Sequence, residues 1–399
     1  MMKLAAIAGL ILLSSASAYS VNKTTGAVYF LTNEVSGNFI VSSAIGADGK
    51  LTLGQAFSVG GSGANGITGP TPQPDPLFSQ GVITVSGNQV FTVNPGSGSL
   101  AIFDIDPCNP TNLSIVGKPV NSGGDFPVSV AVSKRTKQVC VLNTGTVNGV
   151  SCFKQLGTSI IPIPGTTRSL GLNQTNPATG VPNTASDVIF NHDETKLIAA
   201  VKGTTTPPVP GYLAVWDVNP FTGALSPEFT KVTLPAGGAL PFSITPIEGK
   251  NAVLVSDLAL GYEIFDFTNG TSAAFPIANQ IAICWSTFSK KTGNYYIIDS
   301  GRNIISEVSV DPVATLKADT VMQYTMPAGS ILLDTDVASI GGNDYLYVLA
   351  PGTQSIIVLA LPGPLGATTI QNFAFADGLA AAGVKTDVFA LVGLATYTA

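Results

Sequence analysis

Histidine is all but missing from this chain: His192 is the single one among 399 residues. The commonest general acid/base at neutral pH therefore has one place to act, or none. Charge is sparse as well. Lysine, arginine, aspartate and glutamate together make up 11% of the sequence, and the formal net charge is −6. Phosphate binding needs a basic face, so nucleic acid is excluded as a partner. Beyond the first residues no apolar run approaches the roughly 20 residues of a membrane helix, and no transmembrane segment is expected. Helical periodicity is nearly absent; Phe375 to Gly383 holds about one turn, limited by Gly378 and Gly383. No zinc-ligand spacing, phosphate loop or nucleophile elbow occurs, and the glycines of Gly61 to Asn65 read as turn residues. Neither a cofactor nor a metal is expected.

The chain opens MMKLAAIAGLILLSSASA. Lys3 is a short basic start, Leu4 to Leu13 an apolar run too short to span a bilayer, and Ala16-Ser-Ala18 a small-residue cleavage site. Residues 1–18 thus read as a signal peptide, with Tyr19 as the mature start and 19–399 as one domain. The expected localisation is secreted or extracellular, including association with a cell wall or surface glycan. Four sequons, at Asn22, Asn112, Asn173 and Asn269, fit N-glycosylation in that compartment. Disulfides are also permitted there. Cys140 and Cys152 flank VLNTGTVNGVS, a hairpin with an Asn-Gly turn, and face one another closely enough to pair. For Cys108, in a loop, and Cys284, in an apolar strand, both a bond and two free thiols stay open.

Glycine (43) and proline (27) are abundant in a chain rich in valine, isoleucine and phenylalanine, which points to many short strands and turns. The chain also repeats itself. VITVSGNQVFTVNPGSGSLAIFDID from Val82 matches in pattern VSVAVSKRTKQVCVLNTGTVNGVSCF from Val128, and similar units start at Ser186, Phe242, Ala282 and Asp334. A shorter unit starts at Ala27. Second strands begin near Val28, Val90, Val139, Leu197, Ala252, Tyr295 and Tyr345. A four-stranded unit at this period is a propeller blade, so the fold class is all-β, a seven-bladed β-propeller. The first unit lacks its inner strand. The apolar C-terminal stretch from Val388 to Ala399 supplies it and closes the ring.

Blade geometry then sorts the loops. Turns between first and second strands lie on one face. Second-to-third turns and the blade-to-blade connections lie on the other, where the channel is expected to open. His192 falls in a first-to-second turn, Asn191 to Lys196, and reads as a solvated turn residue. Lys134, Arg135, Lys137, Lys196, Lys250, Lys290 and Lys291 fall on that same face. The loops on the expected channel face offer only Lys202 and Arg302 as cations, with Glu34, Asp257 and Asp299 as acids. Asp125, Asp187, Asp334 and Asp336, near the starts of inner strands, add to the acidic side. Asp257 and Asp299 also read as turn caps, and Arg302 as a local ion-pair partner of Asp299. Asp334 and Asp336 share one side of a strand but fall short of the roughly six oxygens of a hard-metal site.

Four phrases carry a resemblance: GKPVNSGGDFPVSVAVS from Gly117, VCVLNTGTVNGVSCF from Val139, SDVIFNHDETKLIAAVKG from Ser186, and WSTFSKKTG from Trp285. They resemble the secreted fungal proteins similar to 3-carboxymuconate cyclase, within the lactonase-type seven-bladed propellers. The resemblance spans nearly all of the mature chain. It implies the propeller fold and a site at the channel mouth for a small carboxylate or lactone. The name-giving reaction adds a carboxylate across a double bond and delivers a proton to carbon. Members that catalyse it are thought to use a histidine with arginines and an acid near the channel; no histidine of this chain matches that role. The candidates that remain are Arg302 and Lys202 to bind a carboxylate, and Glu34, Asp257 or Asp299 to handle protons. The alternative is a non-catalytic extracellular glycoprotein, adhesin- or antigen-like, that uses the scaffold for binding.

Overall fold

The computed structural model describes residues 24–398. The expected signal peptide and the sequon at Asn22 lie outside the described residues. Seven antiparallel sheets, each with four principal strands, are arranged as the blades of a propeller. The innermost strands, in ring order, are Val392–Thr398, Ile83–Ser86, Pro127–Val132, Ala185–Phe190, Pro241–Pro246, Ile283–Phe288 and Thr335–Ile340. Among the described residues no helix is long and apolar enough to cross a membrane. The one helical turn read from the sequence is the helix Ala376–Ala381.

The second strands are among the most buried of the fold. Gly26–Leu31, Gln138–Asn143 and Ala252–Asp257 are buried at every position. Covered on both faces by neighbouring blades, these strands need no polar face, which is why they read as near-continuous apolar runs rather than as an alternation. The outermost strands alternate or are mostly exposed, as in Ala318–Thr325. The core therefore lies between blades. Trp216 and Trp285 are among the largest side chains with almost no exposed surface.

Ring closure follows the expected route. Val392–Thr398 pairs antiparallel with Gly26–Leu31, with Ala27 opposite Tyr397 and Phe30 opposite Leu394. Asp334 and Asp336 reinforce the seam from the last blade: their carboxylates accept from the Gly393 and Thr396 backbone N–H groups at 2.8 and 2.9 Å. The hairpin disulfide is present as well. Cys140 and Cys152 are register partners on adjacent strands and are bonded, while Cys108 is free and exposed and Cys284 is free and buried.

Two outcomes test this architecture. Removal of residues 388–399 strips the first blade of its inner strand and exposes unpaired backbone. The truncated chain should aggregate on size exclusion, and a stable monomer would contradict closure by this strand. In peptide mapping without reductant, Cys140 and Cys152 should be recovered linked. Native alkylation should reach Cys108 at once and Cys284 only on unfolding; rapid native labelling of Cys284 would contradict its burial.

Candidate functional site

The connection from blade one to blade two runs from Ser58 to Ile83, and it does not stay on the surface. After the exposed stretch from Thr68 to Gln73 it dives into the axis. Leu77, Phe78 and Ser79 are buried there. The Ser79 hydroxyl donates to the Val128 carbonyl of blade three at 2.9 Å, and Gln80 N–H donates to Ser186 O of blade four at 3.0 Å. The Gln80 amide exchanges two hydrogen bonds with the Ser286 backbone of blade six, and Trp285 Nε1 donates to Ser79 O at 3.1 Å. One loop thus ties three blades across the axis. Gly81 completes the crossing at φ 78°, where a Cβ would stand 2.6 Å from Ser129 Oγ. No other residue type fits that backbone and that gap.

This plug reverses the expected polarity of the channel. The face of the second-to-third turns and blade connections is closed. The axial cavity, of about 410 Å³, reaches instead toward the first-to-second turns, where Asn191 and Glu194 line it. His192 is exposed in that turn, as expected, but on the open side of the molecule rather than opposite it. Two of the cations expected on the face away from the channel mouth stand near the same rim: the Lys134 and Arg135 backbone N–H groups donate to the Glu194 carboxylate at 2.9 and 2.8 Å. The wall itself carries no lysine or arginine. It is formed by Asp187 and Asp336, the hydroxyl residues Thr84, Thr245, Ser286, Thr287, Thr335 and Thr396, and aliphatic side chains between them. These Ser and Thr positions lie on inner strands.

Asp187 is the group with chemistry to offer. Its carboxylate accepts from Ser129 Oγ at 3.1 Å and from the Ile244 N–H at 2.8 Å. Burial outweighs those bonds and pushes it up to about 7. Asp336 is raised for the same reason. Beside them runs a chain of hydroxyls: Ser256 bonds the Cys284 carbonyl, Ser243 bonds Ser256, Ser286 bonds Ser243, and Thr245 bonds Ser286, the last three each at 2.7 Å. With Ser256 donating to the carbonyl, each hydroxyl hydrogen points inward along the chain. Thr245 then presents an acceptor lone pair to the cavity, suited to a ligand hydroxyl.

The five residues singled out from the sequence are not gathered into one site. Lys202 is buried beneath the plug, donating to Phe78 O at 2.7 Å and Thr184 Oγ1 at 3.1 Å, with its ammonium 4.8 Å from the Phe242 ring centroid. Burial drives Lys202 down and nearby Asp75 up, so both are pressed toward neutrality. Glu34 is buried and pairs with the exposed Lys385 at 3.0 Å. Asp257 accepts from the backbone N–H groups of Ala239, Leu240 and Ala259, and Asp299 from those of Ile281 and Ala282; both cap loops. Arg302 is exposed. It meets Asp299 through its backbone N–H at 3.2 Å, and its guanidinium forms no salt bridge among the described residues. The expected Arg302–Asp299 ion pair is therefore replaced by a turn cap. The plug, by contrast, had no local motif. Its signal was length: the connection to the second blade exceeds the usual few residues.

The buried acids make stability depend on pH. Asp187 and Asp334 are each raised to about 7 by burial, and Glu263 to about 9 by burial and by Asp257 beside it. No N–H or hydroxyl donor satisfies either Glu263 oxygen, and its polar neighbour is the Asp257 carboxyl. A carboxyl raised on folding contributes stability that is full below its unfolded pKa and lost as pH climbs through the folded value. Lys202 works in the opposite sense, but mainly above neutrality. Asp193, Glu194 and Asp266 are lowered chiefly by hydrogen bonds, and their contribution is lost only in more acid solution. Melting temperature should therefore be higher near pH 5 than near pH 8. Glu263→Gln should raise it at pH 8 and leave it nearly unchanged at pH 5. A melting curve that rises steadily toward pH 8 would contradict these buried acids.

No family model matches the chain, and no curated protein sequence matches it. Solved structures do. A Pseudomonas aeruginosa periplasmic gluconolactonase superposes with a TM-score of 0.65 at 17% identity, covering 93% of this chain and 99% of that one. A Bacteroides fragilis protein provisionally named a 6-phosphogluconolactonase gives 0.62 at 16% identity, covering 94% and 99%. A Staphylococcus aureus virginiamycin B lyase, as a catalytically inactive variant with quinupristin, gives 0.50 at 12% identity, covering 76% and 87%. At these identities the likeness is one of fold. This chain shares the propeller architecture of these structures.

Proposed function

We propose that this chain is a secreted propeller of the lactonase type, and that it hydrolyses a small, uncharged, hydroxyl-bearing ring ester in the axial cavity. The observation that carries the reading is Asp187. It is a buried carboxyl on the cavity wall, shifted to about 7 and surrounded by hydroxyls without a cation. A base is most effective when its pKa lies near the working pH. Ionised Asp187 takes a proton from a water, whose oxygen attacks the ester carbonyl. The ring C–O bond breaks as the tetrahedral intermediate collapses, and the leaving alkoxide takes the proton back from Asp187. The product is a hydroxy acid, which ionises and releases a proton to solvent. The acidic wall repels that anion, and the cations near the rim draw it outward.

The same wall argues against a tricarboxylate such as 3-carboxymuconate. Its cyclisation needs several cations and a proton donor to carbon, and each missing charge partner costs about 10²–10³ in rate. A second reading, a non-catalytic binding glycoprotein, is favoured by one specific fact. The two inner-strand carboxylates of the wall bond neighbouring blades, Asp187 to blades three and five and Asp336 to blade one.

Proton release from neutral sugar lactones by the purified chain distinguishes these readings. Turnover should rise as pH passes through about 7, and Asp187→Asn should lower kcat by roughly 10²-fold or more. Arg302→Ala should leave turnover unchanged. Melting curves of each variant control for folding. Absence of lactone hydrolysis with intact fold would refute the enzymatic reading, and turnover of 3-carboxymuconate would refute the electrostatic one. Secretion is checked by the N-terminus of protein recovered from culture medium, expected at Tyr19.

A further inference from the structure

Between blades five and six, on the same face as the cavity opening, lies a groove of about 560 Å³. Clefts that hold small ligands run to about 300–1,000 Å³. Its floor and walls include Val313 and Leu316 from one loop, Lys250 and Lys317 at its edges, and Asn269 and Thr271 from the turn opposite. Asn269-Gly-Thr271 is a sequon, so the groove is lined by the acceptor asparagine itself. Asn112 and Asn173 are exposed outside it. Val313 is 88% exposed, an apolar side chain left uncovered beside a row of polar groups.

We infer that Asn269 carries an N-linked glycan and that this groove seats its first sugars. The inference rests on the secretory reading above. In the transfer, Asn269 Nδ2 bonds to C1 of an N-acetylglucosamine. The bond from C1 to the oxygen of a lipid-linked pyrophosphate breaks, the pyrophosphate keeps the electron pair, and one amide proton is released. The second amide hydrogen stays on nitrogen. Nδ2 already donates to Asp266 Oδ2 at 2.8 Å, and that bond survives the modification. It limits rotation of the glycosylated side chain and holds the sugar beside the groove rather than free in solvent. The ring C–H faces and the acetyl methyl then cover Val313 and Leu316. Sugar hydroxyls and the acetamide carbonyl meet the Lys250 and Lys317 ammonium groups at the edges. A glycan is matched to such a mixed surface because each sugar presents both apolar and hydrogen-bonding faces.

The test uses the full chain made in a eukaryotic secretory host. Glycopeptide mapping should find Asn269 occupied. Thr271→Ala should remove that glycan without altering Asn269, and Thr271→Ser should restore it. Amide exchange in residues 312–317 should be roughly threefold or more slower in the glycosylated chain than in Thr271→Ala, with exchange in the inner strands unchanged. Endoglycosidase trimming to a single N-acetylglucosamine should retain part of that protection. A chain that never enters the secretory pathway refutes the localisation on which this rests. A secreted chain with Asn269 bare, or with Asn269 occupied and exchange at 312–317 unaltered, refutes the inference alone.

Discussion

Everything in this molecule depends on one strand meeting another across the length of the chain. Val392–Thr398 closes the first blade against Gly26–Leu31, and without that ladder seven sheets would form an open arc with an unpaired inner edge. Closure brings the inner strands around one axis, and the axis is where unusual chemistry collects. Asp334 and Asp336 show the coupling directly. Their carboxylates bond the closing strand, so these inner-strand acids are also part of the seam.

The cost of that arrangement is burial of charge. Propeller axes are normally wet, and an aspartate facing water keeps its ordinary pKa. Here the connection from blade one fills one end with Leu77, Phe78 and Ser79, and Asp187, Asp334 and Lys202 are buried around it. Excluding water penalises every ionised form. Plugging one end therefore does two things at once. It leaves an axial cavity that reaches the first-to-second turns, and it raises an aspartate on the cavity wall into the range where a carboxyl exchanges protons at neutral pH.

The fold was legible from local pattern. Blade period, second-strand positions, the Cys140–Cys152 pairing and the role of the C-terminal stretch all depend on alternation and turn signals within about fifty residues. His192 could be assigned to a turn for the same reason: Asn191 to Lys196 is bounded by two apolar runs. Asp257 and Asp299 likewise act on loops of their own blades, close in sequence. The site was legible only in its ingredients. Asp187 and Asp336 stood near the starts of inner strands, but nothing local distinguished them from Asp125, whose carboxylate serves the Val147 N–H on an exposed loop.

Which end of the channel is open was the decision of tertiary structure alone. Pro74 to Gln80 has no periodicity, and its partners Val128, Ser186, Lys202 and Ser286 lie 49 to 206 residues away. Such contacts exist only once seven blades surround the axis, so no window of sequence contains them. The same reversal moved Lys134 and Arg135 from the far side of the molecule to the vicinity of the entrance and put Lys202 under the plug. By itself, the sequence determined a closed seven-bladed ring with few charges and one solvated histidine, because repeat period and turn chemistry are short-range. The tertiary structure decided where ligand can enter and which carboxyl it meets, because burial and access are properties of the assembled ring.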